Sequence, residues 1–469
     1  MSTTNELGTK KIGKLLMSLA IPAIIAMIVN LLYNMVDRIY IGNMTNGTLG
    51  MAGLSVAVPV ITLIMAFTML FGSGGAPLAA IKLGEGKKDE AERIMTTSFS
   101  SLIICAILLT VMIELFQEPL LYMFGADSTS IAPAKEYICI YALGTLFVQI
   151  TQGMNAYINT QGYAKVGMCT VLIGAVVNIV LDPIFIFVLN MGVSGAALAT
   201  VLSQGLSALW VMYFFLKISP LKIRKEYLLP NLKVLGSIMM LGISPFIMNA
   251  TEGLLQISFN NQLSLYGGSM AVASMSILMS LYQIITMPLQ GVSQGAQPIL
   301  SYNYGAKDYD RVKETFRLTF KICVGYSIIT ASCIVIFSNI FAGFFSNDPT
   351  TITFTSWAIR VYLVGAVLFG AQIACQQSFM ALGQAKRSLL MALFRKVVLL
   401  IPLIYILPTV LGETSIAWAM SKPVTDITVH SAKTFCVLLA EPISDILTAC
   451  TTTCLFMNFY KKYLNKDET

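Results

Sequence analysis

The sequence predicts an all-α membrane protein: twelve transmembrane helices in two pseudo-symmetric six-helix lobes. Three observations carry that prediction. Hydrophobic residues make up 56% of the chain and charged residues only 11%, where a soluble domain carries about 25% charge. The apolar runs between charge clusters are each long enough to cross a hydrocarbon core of roughly 30 Å. Finally, the two halves resemble each other at a nearly constant offset of 221 positions.

The runs lie near 15–41, 52–80, 94–116, 135–157, 166–189, 195–216, 234–262, 269–300, 318–343, 354–382, 388–410 and 435–459. The first follows Lys10, Lys11 and Lys14. It is too long for a signal-peptide core and lacks a small-residue cleavage end, so it is expected to be a retained span. Most of the 30 Lys and Arg residues fall at 10–14, 82–93, 165, 217–233, 307–321, 386–396 and 461–466, which all face one side. The positive-inside rule then puts both termini in the cytoplasm of a cell whose plasma (inner) membrane the chain crosses many times. The expected organisation is an N-lobe over 1–216, a cytoplasmic linker over 217–233 and a C-lobe over 234–469. The net charge of +7 comes from these loops and gives no reason to expect nucleic acid.

The duplication is specific. "GEGKKDEAERIMTTSF" (84–99) aligns without a gap with "GAKDYDRVKETFRLTF" (305–320). "GYAK" at 162–165 matches "GQAK" at 383–386, Pro77 matches Pro298, and Tyr141–Gly144 matches Tyr362–Gly365, all at the same offset. Six helices per copy make the repeats parallel, an arrangement of transporters whose site lies between two halves that rock.

The nine cysteines are scattered, with no metal or disulfide spacing. Cys450 and Cys454, one turn apart, are expected on a packed helix face, and the lone His430 in an interfacial loop. No metal, cofactor or enzymatic activity is expected: neither a His-Glu-x-x-His motif nor a Ser-Lys dyad stands out.

Polar residues inside the spans carry the chemistry. Asp182 interrupts an apolar run, "GAVVNIVLDPIFIFVLN", and Pro183 follows it. A charge at mid-membrane costs roughly 2.5–3.5 kcal/mol on insertion scales, so it implies a function. Asn178 lies one turn before it, Thr200 lies at similar depth in the next span, and Asn30, Asn34 and Asp37 share one face of the first. Carboxylates, an amide oxygen and a hydroxyl are hard ligands suited to Na⁺, and a carboxylate pair also shares a proton readily. Asp37, Asn178, Asp182 and Thr200 are therefore the candidate cation-binding residues.

The second half does not repeat this cluster: Asp182 maps onto Leu403 at the offset of 221, and Asp37 onto Asn260 at the offset of 223 that relates Pro22 to Pro245. Glu252, on a stripe with Asn249, Gln256 and Asn260, is the one carboxylate expected deep in that half. It could meet a cationic substrate or serve as a polar helix contact. Asn34, Gln152, Asn155, Glu252, Gln256, Gln283 and Met287 form the candidate substrate-binding set.

"LYNMVDRIYIG", "NIVLDPIFIF" and "GVSQGAQPILSYNYGAK" together resemble the multidrug and toxic compound extrusion (MATE) family, over nearly the whole chain. The resemblance implies two six-helix lobes forming a V. It also implies export of bulky, often cationic drugs in exchange for Na⁺ or H⁺, by a protein in contact with membrane lipids and expected to be a monomer. Family roles in cation binding carry to Asp37, Asn178, Asp182 and Thr200, and Pro22 matches a proline that bends the first helix. One departure is a near-repeat, "WAMSKPVTDI" (418–427) and "VLLAEPISDI" (437–446), either of which could open the last helix. Two other functions compete. A lipid-linked precursor flippase would need basic residues within its spans, and almost none are expected there. An ion channel usually builds its filter from several subunits.

Overall fold

The structure, a computed structural model, describes residues 3–44, 47–413 and 432–464. Among them every regular element is helical. The helices are α1 (Thr3–Thr9), α2 (Ile12–Gly42), α3 (Gly47–Gly84), α4 (Lys88–Met123), α5 (Ile131–Leu143), α6 (Thr145–Thr160), α7 (Ala164–Val188) and α8 (Gly192–Ile218). They continue with α9 (Leu232–Gly305), α10 (Tyr309–Ile336), α11 (Ser338–Gly343), α12 (Pro349–Tyr362), α13 (Gly365–Ala381), α14 (Ala385–Val410) and α15 (Ala432–Leu464).

Nine of these are long and apolar enough to span a membrane, and the bent pairs α5–α6 and α12–α13 add two more spans. At 74 residues α9 would be about 110 Å long, far beyond one crossing. It breaks at Gly268, whose φ of 69° is open to glycine and strained for other residues, and so supplies two spans. The described residues thus make the twelve crossings expected. Large apolar side chains such as Leu108, Leu115, Val188 and Ile329 stay exposed, as a lipid-facing surface requires. Cys450 and Cys454 are also exposed, so the packed face expected for them is corrected: they lie on the open side of α15.

The duplication recurs in the backbone. The α5–α6 bend of 57° occurs at Gly144, and the α12–α13 bend of 40° at Gly365. Each glycine meets the last span of its own half: a Cβ on Gly144 would sit 2.5 Å from Val201, and one on Gly365 would sit 2.5 Å from Pro442. Carbonyls near the bends need partners inside a membrane. Thr110 Oγ1 donates to the Ala142 carbonyl at 2.8 Å, and Ser327 Oγ to that of Ala366 at 2.6 Å. Gly162 and Gly383 both take positive φ (86° and 68°), and Gly86 and Lys307 form a second such pair (76° and 61°).

The described chain divides into two compact units. The first takes in residues of Met1–Ala250, Gln294–Val312 and Met380–Ala385, with a continuous apolar core from Ile41 to Ile238. Its α1 is tied down by Asn303 and Arg311, which donate to the Leu7 carbonyl at 3.0 and 3.1 Å. The stretch before α9 is held by buried Glu92, which accepts from the Lys222 backbone at 3.1 Å and pairs with the Arg224 side chain. That carboxylate raises the pKa of Arg224.

The second unit comprises Thr251–Ser293, Lys313–Phe379 and residues of Lys386–Thr469. In it α15 packs on α12, α13 and α14. Phe379, Phe456 and Phe459 cluster at one end, with the Arg387 guanidinium 4.6 Å from the Phe459 ring.

Candidate functional site

The first unit brings Asp37, Asn178, Asp182 and Thr200 together, all buried. On α2, Asn30, Tyr33, Asn34 and Asp37 recur at intervals of three and four, so one face carries them toward α7, against which α2 packs. On α7, Asn178 and Asp182 are a turn apart, just before Pro183. At Ile184 the α-helix gives way to a π-helical turn, Ile184–Val188. A proline removes a backbone donor, and such widened turns are frequent at functional sites.

Asn178 Nδ2 donates to Asp182 Oδ1 at 3.1 Å and approaches Thr200 Oγ1 at 3.4 Å. Thr200 Oγ1 in turn donates to the Ala196 carbonyl at 3.0 Å. Asp37 and Asp182 lie within electrostatic reach of each other, and the Tyr33 hydroxyl is within reach of both. Tyr137 contributes a hydroxyl hydrogen-bonded to Thr200, and its ring stacks on Tyr141 at 5.9 Å. Three oxygens remain buried with no hydrogen-bond partner among the described residues: Asp37 Oδ1, Asn178 Oδ1 and Asp182 Oδ2. Such atoms cost free energy unless a cation or proton supplies the missing interaction. No group of three or more His, Cys, Asp or Glu side chains suited to a metal ion occurs among the described residues.

The substrate candidates separate by unit. Asn34 is exposed and donates to the Asn30 backbone carbonyl at 2.7 Å. Gln152 sits on the π-helical turn Gln149–Gly153 of α6 and lines a polar recess of about 10 Å³ with Asn30, Tyr33, Ser203 and Gln204. That is close to the space one water needs. Asn155 is half-buried and donates to the Gly167 carbonyl at 3.3 Å, tying α6 to α7. Pro22 is buried within an α2 that continues through it. Composition gave no hint of Tyr33, Tyr137 or Gln204. The Thr200–Ser203–Gln204–Ser207 spacing on α8 was the available signal for Gln204.

In the second unit Gln256 and Gln283 are exposed and Met287 is half-buried. Glu252 pairs with Lys396, whose ammonium is itself buried. Here two expectations are corrected. Arg395 and Lys396, counted among the loop charges, lie inside α14 on the π-helical turn Phe394–Leu400, both buried. Nor is Glu252 the one deep carboxylate, because Glu441 and Asp445 are buried on α15 and engage Arg395. A charged side chain is tolerated at such depth when paired, which a hydropathy pattern does not register. Pro442 and Asp445 lie within the described last helix, whereas the segment at 418–427 and His430 lie outside the described residues.

The MatE family profile matches this sequence twice, over residues 22–184 and 245–406. This chain belongs to the MatE family. The two matches, together well over half the chain, are the two halves of the duplication, and the family is one of membrane transporters. The multidrug export protein MepA of Staphylococcus haemolyticus is 25% identical over 413 residues, covering 87% of this chain and 90% of that protein. MepA of Staphylococcus aureus is likewise 25% identical, over 410 residues, with the same shares covered. Among solved structures, a MATE transporter in the bent conformation superposes with a TM-score of 0.88 at 22% identity, covering 100% of this chain and 99% of that one. A MATE transporter in the straight conformation gives 0.86 at 22%, covering 98% of each. These likenesses establish the two-lobe transporter fold for this MatE chain.

Proposed function

We propose that this MatE chain is a secondary active multidrug exporter, expelling cationic amphipathic compounds in exchange for Na⁺ or H⁺ bound at Asp37, Asn178, Asp182 and Thr200. The observation that carries it is the set of three buried, unpartnered oxygens on Asp37, Asn178 and Asp182. One small cation would take up these free lone pairs and offset one of the two carboxylate charges. The MepA relatives, named as multidrug export proteins, support the drug-exporting role. The basic loops at one end of the spans support a plasma-membrane orientation with both termini in the cytoplasm. The chain works as a monomer surrounded by lipid, since its duplication supplies both halves of a transport path. Glu252, Gln256, Gln283 and Met287 in one unit, and Asn34, Gln152 and Asn155 in the other, contact the drug. Arg395 and Lys396 do not favour a pyrophosphate flippase, because carboxylates already engage them.

The test is transport of a fluorescent cation in vesicles, first under an imposed Na⁺ gradient and then under an imposed pH gradient. The wild-type protein should respond to at least one gradient, and Asp182→Asn should respond to neither while inserting normally. Wild-type rates in Asp182→Asn would remove the coupling role from this site.

A further inference from the structure

The internal repeat gives the walls of the first unit's cation site counterparts in the second. Gly144 meets Val201 and its repeat mate Gly365 meets Pro442, which puts α8 and α15 in register at Val201 and Pro442. Thr200 and Glu441 each stand one residue before that point, and Gln204 and Asp445 each stand three after it. On the facing helices, α7 and α14, the offset of 221 sets Gly174 against Arg395 and Ala175 against Lys396.

The counterparts also meet in the same combination. In the first unit Gly174 and Gln204 line one small polar recess. In the second, Arg395 at the place of Gly174 binds Asp445 at the place of Gln204. Its Nη2 lies 2.9 Å from Asp445 Oδ1, 3.0 Å from Glu441 Oε1 and 2.7 Å from the Tyr282 hydroxyl. Nε lies 3.2 Å from Asp445 Oδ1, and the guanidinium stands 4.6 Å from the Phe369 ring centre.

Charge divides along the same line. Arg395 and Lys396 are buried with Glu441 and Asp445, two cations against two carboxylates, while the Glu252 side chain that pairs with Lys396 is 55% exposed. The buried charges of the second unit therefore balance. In the first unit Asp37 and Asp182 are buried, and small Gly174 and Ala175 stand where the second unit has its two cations. Among the described residues no Lys or Arg forms an ion pair with either aspartate, and Arg38, next to Asp37, is exposed. Buried charge without a partner is costly. The first unit must take a cation from outside, whereas the second carries its own.

We propose that Arg395 is a tethered cation: its guanidinium holds, in the second unit, the counterpart of the place where the first unit takes up its exchangeable cation. The tether removes exchange from that half and confines coupling to the first unit. A planar guanidinium with five donors suits two carboxylates and a hydroxyl. Arg395 is thus a positioning residue, and its role rests on the cation-binding reading of Asp37 and Asp182.

Thermal unfolding of the full chain in lipid bilayers tests this, in a D37N/D182N background that silences the first site. Adding R395G frees Glu441 and Asp445 and leaves room for a small cation beside them. The melting temperature should fall, and millimolar methylguanidinium should restore much of the loss by binding the folded state. The D37N/D182N parent, with its guanidinium in place, should respond no more to methylguanidinium than to choline at equal ionic strength. Adding D445N to R395G removes one charge of each sign, so this variant should be more stable than R395G without any added cation. A loss in R395G that methylguanidinium does not repair overturns the proposal, as does an equal response in the parent. If R395G does not fold, R395G with D445N decides: it should fold, and its failure overturns the proposal. Failure of the cation-binding reading would appear separately, as transport that survives Asp182→Asn.

Discussion

Asn178 holds Asp182 by one bond: its amide Nδ2 reaches Oδ1 at 3.1 Å and leaves Oδ2 without a partner. The carboxylate is thus fixed by one oxygen and offered by the other. A hydrogen bond to a charged group contributes roughly 1.5–3 kcal/mol, and its loss leaves a buried carboxylate less fixed. Asn178→Ala should lower gradient-driven export in vesicles by about tenfold, the equivalent of about 1.4 kcal/mol, with normal insertion. Asn178→Asp, which adds a carboxylate, should instead tighten cation binding. An unchanged export rate in the alanine variant would count against Asn178 as an anchor.

Much of this site was legible because its members announce themselves on single helices. Asn178 and Asp182 are one turn apart, and an aspartate in an apolar run is conspicuous. The Arg395 cluster was not. Its basic residues follow "LGQAKRSLLMALF", which begins with loop charges, so a hydropathy reading extends the loop over them. Their acidic partners are about fifty positions away on α15, and no linear spacing links the two. The π-helical turn Phe394–Leu400, which sets the positions of both residues, has no sequence signature of its own. The bends were legible only as matched glycines: the repeat located Gly144 and Gly365, but which helix each would touch came from packing.

Glu252 and Lys396 form a lopsided pair: the carboxylate side chain is 55% exposed and the ammonium only 2%. Removing the exposed partner leaves the buried charge to bear the loss. Glu252→Gln should therefore reduce thermal stability by about 2 kcal/mol, after allowing for screening on the open side. Adding Lys396→Met should restore most of that. Transport separates the roles further, since export of monovalent cationic dyes should fall more than export of neutral compounds. A stability loss that persists in the double variant would show that Glu252 does not act through Lys396.

Asp127 and Asp348 stand 221 positions apart and do the same work in the loops before α5 and α12. Asp127 Oδ1 accepts from the Thr129 and Ser130 backbones at 2.9 and 2.7 Å, and Asp348 Oδ2 from Thr351 at 2.9 Å. These bonds favour the charged form, so Asp127 is held well below the usual carboxylate pKa and Asp348 is lowered to about 2. A folded pKa below the unfolded value contributes stability above roughly pH 3.9, lost as pH falls toward the folded pKa. Protection of the amides at 128–134 and 349–354, taken relative to the intrinsic exchange rate at each pH, should fall on acidification below that point. Asp127→Ala and Asp348→Ala should each quicken their own loop at neutral pH and lose the acid step there. Acid steps of unchanged size in both variants would assign the effect to other groups.

Asp37 and Asp182 stand 145 positions apart in sequence, yet Asp182 lies within reach of the Asp37 charge and each keeps an unpartnered oxygen. Two carboxylates sharing one cation form a single thermodynamic unit: removing either leaves the cation with too little charge to bind. If that cation exchanges with drug, binding of one must lower affinity for the other, reciprocally and by the same factor. Asp37→Asn and Asp182→Asn should each abolish this linkage, and the double variant should be little worse than either single one. The measurement is drug affinity in all four proteins, with and without Na⁺ and across pH. Losses that add, or a linkage surviving in one single variant, would mean two independent sites and would sink the shared-cluster mechanism.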